Sequence, residues 1–344
     1  MKRLFQAVCV ITLALCAAAA FAADAKQPLV FVWLPNDSVP ESQETRTAVS
    51  KLISDALGGR EVVSKLTTDY NIAIEAIATN NAAFGFFGAM QYLQSHAKNP
   101  NIVPIVTNSG ASGTMSDALY HSRICVRSSD ASQYQNSASY SIDNIKGKRF
   151  AFVSNSSTSG FVFPSTGIVA FFSKKPAWST LTPNDLIEGG NDKLFSQVVF
   201  GGSHQGSAAA LLTERVEAAA FDDIDLVPYV SLLSGKESTS GAVYEIKKGA
   251  EAPFDTLAGK QFTVIWSVPV INGPICANQN LVTPDELKKI VAAFCSDATS
   301  RNTGIFAPAD YKGPNKYGLG KQTGKVRFLA VTDATYQGVR DMIQ

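Results

Sequence analysis

One stretch of the sequence, residues 150–161, reads Phe-Ala-Phe-Val-Ser-Asn-Ser-Ser-Thr-Ser-Gly-Phe. Its first four residues are apolar and predict a short buried strand, and the apolar residues after Gly160 predict a helix. Four hydroxyl side chains, Ser156 to Ser159, therefore stand at a strand-to-helix turn. Because backbone N–H groups are unpaired at the start of a helix and the helix dipole is positive there, an oxyanion is a suitable ligand. Capping of the helix is the alternative interpretation, and a cap needs only one such residue.

Short apolar strands alternate with helical patterns on both sides of this stretch. Strands are predicted at residues 28–34, 61–66, 84–88, 102–106, 118–127, 150–153, 197–200, 218–221 and 262–266. Helices are predicted at residues 45–57, 70–78, 89–97, 161–173, 207–213, 225–233 and 283–296. The alternation predicts an α/β fold with mostly parallel sheets flanked by helices. Ligands of such folds bind at the carboxyl ends of strands, where Asp69-Tyr70, Phe87-Gly88 and Ser157–Gly160 are found.

The strands and helices form two series of similar size. A polar, Ser-rich segment between Ser128 and Ser141 separates them, and a tail follows the second series. We therefore predict two lobes. The first is discontinuous and comprises residues 23–128 plus 268–344, and the second comprises residues 129–267.

The N-terminus predicts secretion. Lys2 and Arg3 precede an apolar run from Leu4 to Ala20, and Ala20-Phe21-Ala22 fits a signal-peptidase site, so residues 1–22 are predicted to be a cleaved signal peptide. The whole chain has 344 residues, 30 basic and 29 acidic. With no basic excess, nucleic acid is not expected as a partner.

Cysteine and histidine are both scarce. Cys9 and Cys16 lie in the signal peptide, which leaves Cys125, Cys276 and Cys295. These three could form at most one disulfide, or could all be small buried side chains, and the sequence does not distinguish the two. The three histidines are scattered without metal-ligand spacing, so neither a metal site nor a cofactor is expected.

Two further polar groups follow predicted strands. His204 lies in the turn Gly202-Ser203-His204 before an Ala-rich helix, and it is either structural or part of a site. Asp222 follows the strand at 218–221. It could accept a proton from a protonated oxyanion and repel a fully ionised one, or it could cap the next helix.

These residues occur in an order typical of one protein family. The landmarks are Asp69-Tyr70, Phe86-Phe87-Gly88, Ser157-Thr158-Ser159-Gly160-Phe161 with Pro164, Gly202-Ser203-His204, Val216-Glu217-Ala218-Ala219 and Pro269-Val270-Ile271. Together they resemble the periplasmic phosphate-, phosphite- and phosphonate-binding proteins of ABC importers, which are type II solute-binding proteins. The Ser-Thr-Ser-Gly element with the downstream histidine is the specific part of the resemblance.

The resemblance implies two α/β lobes, joined by two crossing strands as a hinge, that close on a small phosphorus oxyanion. It implies a monomer in the periplasm that delivers its ligand to an ABC permease and catalyses no reaction. The residues that it places at the ligand are Tyr70, Phe87, Ser157, Thr158, Ser159, His204 and Asp222. Hydroxyl and imidazole donors of this kind hold an anion without a buried counter-charge.

The sequence departs from the family pattern at two places. Phe87 stands where a tyrosine is frequent, so one hydroxyl donor is missing. The crossing segment Ile271-Asn272-Gly273-Pro274 contains no acid that could bind an ammonium group, which argues against 2-aminoethylphosphonate. Phosphate, phosphite and alkylphosphonates remain open as ligands.

Two other functions are considered. A binding protein that presents its ligand to a membrane receptor would have the same sequence features as one that serves import. A secreted serine hydrolase would use Ser159 or Ser203 with His204. Neither serine lies in a Gly-x-Ser-x-Gly motif, and adjacent positions in the chain give Ser203 and His204 poor geometry for proton transfer.

Overall fold

The computed structural model describes residues 27–38, 42–137, 139–311 and 319–343. They form a two-lobed α/β fold with one central β-sheet in each lobe. Within these residues, no helix combines the length and the apolar character needed to cross a bilayer. The predicted signal peptide, residues 1–22, lies outside the described residues.

The first lobe contains a six-stranded sheet in the order β15-β4-β14-β3-β1-β2. Its strands are β1 Leu29–Trp33, β2 Val62–Leu66, β3 Phe84–Phe86, β4 Ile102–Asn108, β14 Ile275–Asn278 and β15 Phe328–Ala330. The chain thus builds four strands of this sheet, leaves for the second lobe, and returns to add two more.

The second lobe contains a seven-stranded sheet in the order β11-β12-β13-β5-β10-β8-β9. Its strands are β5 Leu119–Arg127, β8 Arg149–Phe152, β9 Gln197–Phe200, β10 Ala218–Asp222, β11 Val230–Ser234, β12 Val243–Ile246 and β13 Gln261–Ile271. A short ribbon, β6 Gln135–Asn136 and β7 Ser139–Tyr140, lies apart from it.

The α/β fold class is confirmed, but both sheets are mixed rather than mostly parallel. Strands linked by helices pair in parallel, as β1 does with β2 and β3, and β8 with β9 and β10. Strands that arrive from the other lobe pair antiparallel: β14 with β3 and β4, and β5 with β10. A strand without a crossover helix before it has no reason to run parallel to its neighbour.

The helices cover both faces of the sheets. They are α1 Ser42–Ala56, α2 Tyr70–Ala78, α3 Ala89–Lys98, α4 Phe163–Phe172, α5 His204–Leu212, α6 Pro284–Phe294, α7 Asp297–Ser300 and α8 Gln337–Met342. The helix predicted at 225–233 is wrong, since this segment forms a 3₁₀ turn at Ile224–Leu226 and then the edge strand β11. Pro228 stands in the middle of the predicted helix and is incompatible with a helix interior.

Apolar side chains are buried on both faces of each sheet. In β8, Phe150 and Phe152 join one core cluster and Ala151 joins the cluster on the opposite face. In β1, Phe31 and Val32 divide between the two faces of the first sheet in the same way. Strands covered on both faces need continuous apolar runs, which explains why the sequence shows them without polar alternation. Cys125, Cys276 and Cys295 are all free thiols.

Two adjacent crossings connect the lobes. β5 and β13 pair antiparallel from Arg127 and Phe262 to Leu119 and Ile271. The chain changes sheets at residues 109–118 and 272–274, where the N–H of Asn272 donates to the Ala118 carbonyl at 2.9 Å. The lobe limits after residues 128 and 267 stay a prediction.

Candidate binding site between the lobes

A cavity of about 80 Å³ lies between the two lobes. One water molecule needs roughly 10–15 Å³ by a comparable measure, so the cavity holds a small ligand of several heavy atoms. All seven residues singled out in the sequence line it: Tyr70, Phe87, Ser157, Thr158, Ser159, His204 and Asp222. The structure therefore brings together side chains from five separate strand ends.

The hydroxyl cluster forms a π-helical turn, Thr158–Val162, that leads into α4. Ser157 Oγ accepts from the Gly160 N–H at 3.1 Å, and Thr158 Oγ1 accepts from the Met90 N–H at 2.8 Å. Because each oxygen acts as an acceptor in these bonds, each hydroxyl keeps its own proton for donation to a ligand. Capping by Ser157 and anion binding are therefore compatible.

Two helix N-termini also face the cavity. Gly88 is the N-cap of α3 and supplies no side-chain cap, and α5 begins at His204. Both residues line the cavity. The positive ends of these helix dipoles favour a negatively charged ligand.

His204 is a neutral hydrogen-bond donor in the wall of the cavity. Its Nδ1 accepts from the Asp222 backbone N–H at 2.9 Å, so the proton of the neutral ring is on Nε2. Burial, reinforced by the nearby charge of Arg123, lowers the pKa of His204 to about 3. The ring therefore stays uncharged, and Nε2 lies 3.3 Å from Asp222 Oδ2.

Asp222 is buried at the same wall. Burial, with the neighbouring charge of Asp223 as the second cause, raises the pKa of the Asp222 carboxyl to about 8. Near neutral pH the side chain is thus a carboxylic acid, which can donate to an ionised oxyanion instead of accepting from a protonated one. Asp222 Oδ1 also accepts from the Asp225 N–H at 3.1 Å, as a cap would.

Arg123 is a buried cation behind this wall. Its guanidinium lies 5.5, 5.1 and 5.8 Å from the ring centres of Phe221, Tyr244 and Phe262 and donates to the Asp222 carbonyl. Burial disfavours the ionised form of Asp223, but hydrogen bonds from His121 and Ser238 and the charge of Arg123 hold its pKa below the ordinary value.

Arg123→Met is expected to destabilise the protein by about 3 kcal/mol, because it removes a charged hydrogen bond and three cation–π contacts. Urea unfolding measures the loss, with the exposed Arg215→Met as the matched control. An unchanged unfolding midpoint for Arg123→Met would contradict this role.

Tyr70 and Phe87 contribute less than the resemblance implies. Tyr70 is buried, and its hydroxyl donates to Asn36 Oδ1 at 3.0 Å, so in this structure its proton is not directed at the cavity. Phe87 has no polar atom, and its ring packs so closely on Gly85 that a Cβ there would lie 2.6 Å from it. Phe87 is an apolar wall.

Asn36 is a site residue that the sequence reasoning missed. Its Oδ1 also lies 3.3 Å from the His204 N–H, and its Nδ2 makes no hydrogen bond among the described residues. The amide can therefore donate to a ligand. Asn36 lies in the 3₁₀ turn Pro35–Ser38, just after β1, so the rule that ligands bind at strand ends could have found it.

Three further residues, Gln91, Tyr120 and Asn272, also line the cavity. The sequence carries no local signal for them.

Hydrogen bonds across the cleft hold the lobes closed. Besides the Met90–Thr158 bond, Ser156 Oγ donates to Asn71 Oδ1 at 2.8 Å, and Gln91 Nε2 donates to the Ser156 carbonyl. Ser156 thus serves closure and does not line the cavity.

Gly88→Ala is expected to weaken ligand binding about tenfold, because an added Cβ would lie 2.5 Å from Gln91 Oε1 and 2.7 Å from Thr158 Oγ1. Titration calorimetry measures this, and Gly338→Ala, where nothing lies within 4 Å of the Cβ, is the control. Equal affinities of the two variants would contradict the close approach at Gly88.

Ligand atoms of His204, Asp222 and Asp225 lie within 4.8 Å of one another. A cation there would have to displace the proton of Asp222, since a neutral carboxyl is a poor metal ligand. The proton favours an anion at this wall over a metal ion.

The chain is similar to known proteins along most of its length. The family model described as "ABC transporter, phosphonate, periplasmic substrate-binding protein" matches residues 31–336. The phosphate-import protein PhnD of Mycolicibacterium smegmatis is 22% identical over 290 residues, which cover 82% of this chain and 74% of that protein.

Two solved structures share the fold. A binding protein of an ABC phosphonate transporter from Pseudomonas aeruginosa superimposes with a TM-score of 0.62 at 15% identity, covering 92% of this chain and 86% of that one. PhnD1 from Prochlorococcus marinus, in complex with methylphosphonate, gives a TM-score of 0.61 at 17% identity, covering 92% and 96%. The chain belongs to the family of periplasmic substrate-binding proteins of phosphonate ABC transporters.

Proposed function

We propose that the cavity binds a tetrahedral phosphorus oxyanion, phosphate, phosphite or an alkylphosphonate, which the protein delivers to an ABC importer. The observation that carries the proposal is the convergence of three hydroxyls, at Ser157, Thr158 and Ser159, with the N-termini of α3 and α5 on one small cavity. The relatives named for phosphate import and solved with methylphosphonate support the same ligand class.

The donors have distinct roles in this proposal. The hydroxyls of Ser157, Thr158 and Ser159 donate to the phosphoryl oxygens, His204 donates through Nε2, and the neutral carboxyl of Asp222 donates to one ionised oxygen. Phe87 closes the apolar side. Because none of these groups is a full positive charge, the anion is held by dipoles and can leave when the lobes open.

Secretion to the periplasm, action as a monomer and docking to an inner-membrane permease are parts of the same proposal. The family supports the periplasmic location. Light scattering of the purified protein tests whether it is a monomer. Transport of the ligand into vesicles that contain the cognate permease and ATPase tests whether it serves that importer.

The site favours binding over catalysis. Among the described residues, no hydrogen bond joins His204 to a serine hydroxyl, and Ser203 Oγ instead accepts from the Gly206 N–H at 3.0 Å. A hydrolase would need the base to activate the nucleophile. Turnover of phosphate or carboxylate esters that is lost in Ser159→Ala or Ser203→Ala would overturn this part.

A thermal-shift screen identifies the ligand. The protein is unfolded and refolded to remove bound ligand and is then heated with phosphate, phosphite, methylphosphonate, 2-aminoethylphosphonate or sulfate. A ligand at a hundred times its Kd stabilises the folded state by about 2.7 kcal/mol, which raises Tm by several degrees. We expect at least one phosphorus anion to do so; no shift with any phosphorus anion would overturn the proposal.

A further inference from the structure

A second and larger cavity, which we call the side chamber, adjoins the oxyanion cavity. Its volume is about 190 Å³, compared with about 80 Å³ for the first. Both cavities are lined by Asn36, Phe86, Asn108, Ile224, Asp225 and Asn272. Six shared lining residues place the two cavities side by side between the lobes.

The walls of the side chamber are chemically unlike those of the oxyanion cavity. Trp33, Leu119 and Tyr229 line the chamber without reaching the first cavity. Trp33 is almost fully buried, and its ring packs against Phe86 at a centroid distance of 5.7 Å. Polar side chains, among them Thr45, Arg46 and Gln205, also line the chamber. The aromatic and aliphatic part of its wall binds an apolar or aromatic group through burial of its surface.

A tetrahedral oxyanion fills the donor-rich cavity and leaves the side chamber open. A phosphonate has one carbon substituent on phosphorus, and a phosphate monoester has one alkoxy or aryloxy group. Such a substituent must leave the donor cluster toward open space. The side chamber offers that space, and Phe86 and Ile224 supply apolar surface in the shared wall beside the polar side chains of Asn36, Asn108, Asp225 and Asn272.

We infer that the side chamber binds the organic substituent of the ligand, so that the protein prefers phosphonates or phosphate monoesters with an uncharged apolar or aromatic group over inorganic phosphate and methylphosphonate. This rests on the proposed function of the oxyanion cavity. Several ring atoms fit the volume, since the chamber is more than twice the size of the cavity that takes the phosphoryl group.

Titration calorimetry of the refolded protein with methylphosphonate, phenylphosphonate and phenyl phosphate tests the inference. We expect at least one phenyl compound to bind tenfold or more tightly than methylphosphonate. Comparison of phenylphosphonate with phenyl phosphate shows whether the protein prefers phosphonates or phosphate monoesters. Methylphosphonate binding without a gain for either phenyl compound would overturn the inference and keep the proposed function. Silence from these three compounds and also from phosphate and phosphite would overturn both.

A variant of a chamber residue tests whether the higher affinity for phenyl compounds comes from the side chamber. Leu119 is 45% exposed at the start of β5, so Leu119→Trp is compatible with folding and fills chamber space. We expect the ratio of phenyl to methyl affinities to fall at least tenfold in Leu119→Trp. It should be kept in Leu232→Trp, where the replaced leucine is equally exposed on the edge strand β11. An unchanged ratio in Leu119→Trp would overturn the assignment.

Discussion

Thr158→Val is expected to lower the affinity for methylphosphonate about a hundredfold. Valine keeps the shape of threonine but removes the proposed donor to the ligand and the acceptor of the Met90 N–H, a bond of 2.8 Å that links the lobes. A hydrogen bond to a charged group contributes about 1.5–3 kcal/mol, or roughly 10- to 150-fold in affinity. Loss of the bond across the cleft adds to this by favouring the open form.

Two variants serve as controls in the calorimetric titration. Thr158→Ser keeps the hydroxyl and should stay within about fivefold of the wild type. Ser165→Ala removes a buried hydroxyl of the following helix, which donates to the Val162 carbonyl at 3.0 Å and does not line the cavity. The account is wrong about Thr158 if its valine variant binds as tightly as Ser165→Ala.

Affinity for a phosphorus anion should fall as pH rises above about 8. Asp222 is neutral below the pKa of about 8 that burial gives it, and above that pH its carboxylate repels the ligand. Since one proton is lost, the fall approaches tenfold per pH unit. His204 adds no slope between pH 5 and 8, because its pKa of about 3 keeps it neutral throughout.

Asp222→Asn isolates this effect, since the amide cannot ionise and its oxygen can still accept from the Asp225 N–H. Both proteins are titrated with the same ligand between pH 6 and 10. The ionisation of the ligand affects both affinities equally and therefore drops out of their ratio. We expect the ratio of wild-type to variant affinity to fall about fiftyfold from pH 8 to pH 10, since half of the carboxyl is already ionised at pH 8. A constant ratio would show that Asp222 does not carry the proton. The surface variant Asp192→Asn should follow the wild type.

Much of the fold could be predicted because the elements that build it carry local signals. The helix at Tyr70–Ala78 and the strand at Gln197–Phe200 agree with the prediction to the residue. The strand directions could not be predicted, since they depend on which strands return from the other lobe. The edge strand β11 was mistaken for a helix because its apolar residues were counted and Pro228 was not.

Site residues that directly follow strands could be predicted from the sequence. Hydrogen-bond directions and protonation states could not, because they depend on contacts that form only when the lobes are closed. Ser157, His204 and Asp222 were found by that rule and by the family resemblance, and they line one cavity. The direction of the Tyr70 hydroxyl depends on Asn36, which is 34 residues away in the chain. The protonation of Asp222 depends on burial between elements that the sequence does not show to be in contact.

The most direct test of the central claim is calorimetric titration of the stripped, refolded protein with phosphate, methylphosphonate and phenylphosphonate at pH 7, with sulfate as the control anion. The account predicts one-to-one binding of at least one phosphorus anion, with sulfate weaker than phenylphosphonate, because sulfate is a tetrahedral dianion similar in size to phosphate but has no substituent to place in the side chamber. Equal affinity for sulfate, or no heat with any phosphorus anion, would contradict the claim that this cavity is built for phosphorus oxyanions.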